Sequence, residues 1–434
     1  MAIHEFPPGS SLLGWYLDGL PEELSPTRPV MLRNDDGRVS VTMLFDHNED
    51  LRRYFYGPKD PRTKLLDPPV PTTGHFQGPD GSVALAGGVY LPGTFGTGGH
   101  SGRIYFSRAI LGGSGLKYER INGLAADVQF LQAWMCIAGP EPSLIRDEGG
   151  RVRGVHVEAS EEPSIRLAPR LNLSVSRNFL AEPDPDGWWV RSPIALETSV
   201  MTPRPWADHA MLIRRVSDLI TIASGQPTGI QRVWATAEHD PLRTLDGRAH
   251  GPTARLVLTQ DFPEATDQKY PQFLFTFADI GSRGVSRWMA LHDGAFHTAL
   301  DAIRGTFRPN GMYLESQFGL AALAVERVGY ALGIESGAWK KGDQPPFAHK
   351  ALAIASVVPG LDSAAWIPNL TKMYRAHKHP DHPEPEGDQM MKMLKSTRAL
   401  LRAWAAVRLG AAPEGVVERL GGPTGTHPDG GEQP

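Results

Sequence analysis

The run Tyr374-Arg375-Ala376-His377-Lys378-His379-Pro380-Asp381-His382-Pro383 places three histidines within six residues beside an arginine, in a chain of 434 residues with 15 histidines in all. Just upstream, Trp366, Leu370 and Met373 share one face at helical spacing, whereas Arg375 points roughly opposite, available to a ligand or partner. Pro380, Pro383 and Pro385 end that helix. Residues before proline favour extended backbone, so His379 and His382 are expected to project from an extended loop. This combination suits cleavage of a phosphodiester without a metal. Histidine as a residue type titrates near neutrality and can take the proton from a ribose 2′-hydroxyl. Arginine offers a fixed fork of donors to the charge that builds on the phosphoryl oxygens. Two other readings stay open: a merely polar, solvated loop, and a zinc or nickel site on His377, His379 and His382. The second lacks histidines at i, i+4 on a helix and any nearby cysteine to complete the ligand set.

The following helix adds an electrostatic cue. From Gln389 to Pro413 there is no acidic residue, while Lys392, Lys395, Arg398, Arg402 and Arg408 are basic. Such a helix beside an Arg/His loop could follow an RNA backbone, or it could be a solvated face that suits the helix dipole. On the segment 312–334, Glu315, Gly319, Ala322, Glu326, Gly329 and Gly333 fall within about 40° of one line. Small residues there admit a second helix closely. Intrachain packing is the simple account, and an interface or active-site role for Glu326 the sharper one.

The elements that must position these groups form a β-rich front and a helical back. Val30–Leu32 and Val39–Phe45 flank Asn34-Asp35-Asp36-Gly37, a hairpin signal because such a turn needs positive φ. Gly74–Phe76 and Gly81–Leu85 repeat the idiom, and further strands are expected at 103–106, 152–157, 165–175, 188–194, 254–258 and 273–277. The run Gly93–Gly102 lacks the Gly-Lys-Ser/Thr ending of a phosphate loop and reads as a flexible loop. A helix is expected from Pro205 to a stop at Gly225, then helices over 284–304, 312–334, 346–358, from Pro368, 387–409 and 413–420. The fold class is therefore α+β, with a β-rich N-terminal region over 1–280, an all-α bundle over 281–423 and a flexible tail over 424–434.

Composition sets the outer bounds. Hydrophobic residues at 41% and charged residues at 21% can build a sizeable core, and Gly 47 with Pro 38 points to many turns. The net charge of −4 confines any nucleic-acid site to a local patch. Cys136 is the single cysteine, which excludes an intrachain disulfide and fits a reducing cytoplasm. Met1–Glu5 show no basic, apolar leader pattern, and no run of about 18 apolar residues is present. A cytoplasmic protein without membrane partner, metal or cofactor is expected.

Several passages together are similar to a known family. The HEPN ribonucleases carry an arginine, four to six residues and then a histidine at a helix end; Arg375 with six residues before His382 fits, whereas His379 is too close. The wider chain resembles the ApeA-type anti-phage proteins, an N-terminal β-rich ApeA domain joined to a C-terminal HEPN domain. The similar passages are Gly74–Phe76 with Gly81–Leu85, Leu131–Trp134, Val216–Gly225, Phe273–Ile280 with Arg287-Trp288, and Ala324–Glu326. Ala376 departs from the polar residue usual after the arginine. The resemblance implies a helical HEPN-like bundle and an antiviral endoribonuclease that cuts RNA, tRNA foremost, once a phage trigger releases it, so that growth stops in abortive infection. It implies Arg375 as charge stabiliser, His382 as general base or acid, and His379 or His377 assisting, at a site completed by a second copy of the chain. A catalytically inactive binding or sensor protein, whose bundle only dimerises, is the leading alternative; a metal-dependent hydrolase on the histidines is a third.

Overall fold

The computed structural model describes residues 5–18, 28–45, 72–91, 95–96, 99–115, 117–138, 142–157, 164–177, 180–184, 187–191, 193–243, 248–251, 253–266, 271–307, 312–360, 366–379, 381–382 and 385–421. The chain is α+β, and it divides into two compact units. One unit holds 1–128, 195–214 and 229–265; the other holds 129–194, 215–228 and 266–434, so segments on both sides of residue 280 share the second unit. The expected tail, 424–434, lies outside the described residues.

In the first unit, alternation of apolar and polar residues makes strands, and their pairing closes a barrel. Strands β1 (Ser11–Leu17), β2 (Arg28–Asp35), β3 (Arg38–Phe45), β4 (Thr73–Gly78), β5 (Gly81–Leu91), β6 (Phe95–Gly96), β7 (Gly99–Leu111) and β8 (Arg120–Val128) follow one another. Antiparallel pairing runs β1–β2–β3–β7–β5–β4 and returns to β1, which removes the open edges of six strands. Leu32, Val41, Phe76, Val83 and Ile104 fill the interior and are fully buried. The β2–β3 turn confirms the Asn34–Gly37 signal: Asp36 and Gly37 both take positive φ, 51° and 81°, and the Gly37 amide donates to the Asn34 side chain at 2.8 Å. β7 is long enough to pair beyond β3 with Ala254–Thr259, from which the sheet continues through Ile230–Thr236 and β8 to Ile194–Pro205. The glycine run at 93–102 is not a loop throughout, because β6 pairs back on the start of β7; its residues 93–94 and 97–98 lie outside those described.

One buried carboxylate ties this unit together. Asp240 accepts hydrogen bonds from the Ser114 amide at 2.9 Å, the Ser114 hydroxyl at 2.5 Å and the Tyr118 hydroxyl, and Arg255 lies at 2.9 Å. Burial opposes its ionisation, but these donors and the Arg255 charge outweigh it and hold the carboxyl below its usual range.

Among the described residues, the second unit carries three β-hairpins and most of the helices. The span 165–175 is a hairpin rather than one strand, because a helical turn at Pro169–Leu171 and Asn172 at φ 52° reverse the chain. Helices α1 (Trp206–Ser224), α2 (Phe277–Asp293), α3 (His297–Thr306), α4 (Leu314–Glu335), α5 (Phe347–Ala355), α6 (Trp366–Lys378), α7 (Gly387–Leu409) and α8 (Pro413–Arg419) match the periodic segments closely, α1 belonging to this unit from Arg215 on. Two further expectations fail. Residues 273–277 form no strand; Thr276 precedes α2, and the Asp279 carboxylate accepts its amide at 2.6 Å, a helix start that Thr-x-x-Asp encodes. The expected helix 284–304 is two helices, because Gly294 is extended and ends α2. The core of the unit is built on Phe318, Val325, Val328, Leu394, Leu401 and Trp404, all fully buried.

His292, on α2, is buried without a hydrogen-bond partner at Nε2 among the described residues, its ring edge-on to Trp288 at 4.8 Å. Burial, then the Arg215 charge, pushes it down to about 4. Between pH 6.5 and about 4 the unfolded chain binds a proton that the folded chain refuses, so stability falls as the solution is acidified. The expected loss is about 3 kcal/mol across that window, and His292→Phe should flatten that part of a urea-denaturation pH profile. An unchanged slope in the variant would sink this account.

Candidate active site

Helix α6 is held in one rotational setting by its neighbours. Leu370 and Met373 bury its apolar face. Tyr374 stacks on Phe347 of α5, ring centroids 4.1 Å apart, and donates its hydroxyl to Glu326 of α4 at 3.0 Å. Lys350 donates to the other Glu326 oxygen at 2.9 Å, and Lys378 donates to the Tyr374 hydroxyl at 3.3 Å. Burial raises the Tyr374 hydroxyl above its usual range, against the bond from Lys378, and the Glu326 charge adds to the rise. The tyrosine therefore stays a donor. Glu326 thus serves an intrachain contact, and the small residues of its strip do the same: a Cβ at Gly329 would strike the Lys350 backbone, and one at Gly319 would sit 2.8 Å from His377 Nε2.

With Tyr374 turned inward, Arg375 one residue on is turned to solvent. It lines a hollow of about 580 Å³ with Ile367, Pro368, Thr371 and Lys372 of α6, Ala348 of α5, and His382. Arg375 and His382, the pair that the family resemblance implies, therefore line the same hollow. The extended loop expected after α6 is instead a turn: the His379 amide donates to Arg375 O at 2.9 Å and the His382 amide to His379 O at 3.1 Å. That turn brings His382 back toward the helix end. His379 is exposed and does not line the hollow; its ring lies 6.3 Å from that of His382. His377 lies edge-on to Phe318 at 5.8 Å, away from the other two. Among the described residues no carboxylate lines the hollow, and neither Lys372 nor Arg375 makes a side-chain ion pair or hydrogen bond. No group of three or more His, Cys, Asp and Glu side chains converges as a metal ligand set among the described residues.

The basic helix α7 splits into two kinds of residue. Lys392 and Lys395 are exposed, as a phosphate track requires. Arg398 and Arg402 face protein instead, which removes them from that expectation. Arg398 donates to Thr306 O and to Gln317 Oε1 at 2.9 Å and lies over the Phe307 ring. Arg402 donates to Ile222 O at 2.8 Å and Ala223 O at 2.7 Å, closing the carbonyl end of α1, and burial pushes it down to about 10. A signal for this was present in the spacing: the apolar residue Ala405 lies within about 60° of both arginines around the helix, and it is buried. No helix among the described residues is long and apolar enough to cross a membrane.

Comparison with known proteins bears on the front of the chain. Residues 34–288, more than half its length, match the family model described as ApeA N-terminal domain 1. The hollow between α5, α6 and His382 lies beyond that match. No curated protein and no solved structure matches.

Proposed function

Because the chain belongs to the ApeA N-terminal domain family, a membership that suggests anti-phage defence, we propose that it is a defence effector whose helical unit cleaves RNA without a metal. The meeting of Arg375 and His382 in one cationic hollow carries this reading. His382 takes the proton of a ribose 2′-hydroxyl, the oxygen attacks the adjacent phosphorus, and the 5′-oxygen leaves with a proton returned from a histidine. Arg375 offers its planar donors to the phosphoryl oxygens as charge builds on them. His379, one turn away, is the candidate to assist. The helical unit is a HEPN-like bundle in this reading. Two copies of the chain place their Arg375/His382 hollows together, tRNA is the expected target, and a phage product is the expected trigger. Lys392 and Lys395, exposed on α7, are the candidate contacts to further phosphates.

Transesterification needs a base and a charge stabiliser but no Lewis acid. Cleavage of total tRNA by the full chain should therefore survive EDTA and leave 2′,3′-cyclic phosphate or 3′-phosphate ends. Cleavage that appears only with an added divalent ion and leaves 5′-phosphate and 3′-hydroxyl ends would overturn the mechanism. RNA binding without any cleavage in either condition would favour a binding or sensor role.

A further inference from the structure

We propose that Lys372 is a second phosphate-binding residue of the hollow, holding the phosphate next to the one that is cut, so that the substrate is a single-stranded RNA with consecutive phosphodiesters. The inference rests on Arg375 and His382 being an RNA-cleaving pair. Lys372 and Arg375 stand at i, i+3 on α6, a spacing that puts their Cβ atoms about 5–6 Å apart, and both line the same hollow.

The other lysines of this region are committed elsewhere: Lys350 to Glu326 and Lys378 to Tyr374. Lys372 is exposed and makes no ion pair or side-chain hydrogen bond among the described residues, nor does Arg375. Two like charges at this spacing repel unless an anion lies between or beside them. The two cations differ in kind. The planar fork of Arg375 suits the phosphoryl group whose charge grows during reaction, whereas lysine is a compact point charge on a flexible stem, suited to a phosphate that only has to be held. Thr371, which also lines the hollow, offers no competing donor, because its hydroxyl donates to Ile367 O at 2.7 Å. The remaining wall, Ile367, Pro368 and Ala348, is apolar. It can take the face of an unstacked base, which single strands present and duplexes do not.

The test uses full-length protein and a fluorescent 2′-O-methyl oligouridylate, which binds but cannot be cut, with each phosphate replaced in turn by a neutral methylphosphonate. For the fully charged oligomer, Lys372→Gln should lower the slope of log affinity against log salt by about 0.7, or about fivefold in affinity for each tenfold dilution of salt. Lys372→Arg should retain affinity. Wild type should lose a similar factor at one methylphosphonate position, and Lys372→Gln should lose nothing further there. Equal affinity of Lys372→Gln and wild type, an equal loss at every position, or no binding by wild type would each overturn the proposal. An unmodified oligouridylate run in parallel separates the two claims: Lys372-dependent binding without cleavage would leave Lys372 as a phosphate ligand but remove the nuclease reading and, with it, the placing of that phosphate beside the cut.

Discussion

Arg375→Ala and His382→Ala are each expected to abolish RNA cleavage and growth arrest while leaving the melting temperature unchanged. Both side chains are exposed and line the hollow rather than the core. Loss of a preorganised donor to developing charge costs about 10²–10³-fold in rate, and loss of a general acid–base about 10²–10⁴-fold. His379→Ala is the informative companion. Its ring is close to that of His382 but outside the hollow, so a milder loss is expected. Full activity in His382→Ala with loss in His379→Ala would move the acid–base role to His379. If Arg375→Ala and His382→Ala both cut RNA like wild type, the site assignment is wrong.

The second large effect is on stability, and it separates residues that looked alike in sequence. Arg402→Ala should cost about 3 kcal/mol, read as a shift in urea midpoint. The change strips two donors from the carbonyl end of α1, at Ile222 and Ala223, and leaves a space where the buried stem lay. Arg402→Met should cost less, since it keeps the stem and removes a charge that burial already disfavours, as the fall to about 10 shows. Gly225 reports on the same contact. It sits at φ 73°, and a Cβ there would lie 2.7 Å from Arg402 Nη1, so Gly225→Ala should destabilise too. Lys392→Gln and Lys395→Gln should stay within about 0.5 kcal/mol of wild type and instead weaken RNA binding in a salt-dependent way. Lysine variants that unfold, or an Arg402→Ala protein as stable as wild type, would contradict this division.

Local patterning determined much of this protein. A stripe at period 3.6 needs no partner to be seen, and residues 387–409 delimit α7 as the structure has it. Asn34-Asp35-Asp36-Gly37 encodes its turn because the positive φ it needs is a local property. The apolar run at 273–277 misled for the converse reason: five residues cannot distinguish period 2 from 3.6, and the Thr276–Asp279 contact decided for a helix start. Barrel closure was not legible, since β1 meets β4 and β7 meets β5 across separations that alternation does not encode. The site divides in the same way. Residue type singled out Arg375 and three histidines, and the family resemblance chose His382 among them, but only the Tyr374–Glu326 bond, the Phe347 stack and the His382 amide bond to His379 O bring both to one hollow. The fates of Arg398 and Arg402 were likewise settled by neighbours far along the chain, whereas Lys392 and Lys395 stay exposed. A cationic side chain is a phosphate ligand or a helix-end donor according to what lies within a few ångströms, and that proximity exists only once the chain is folded.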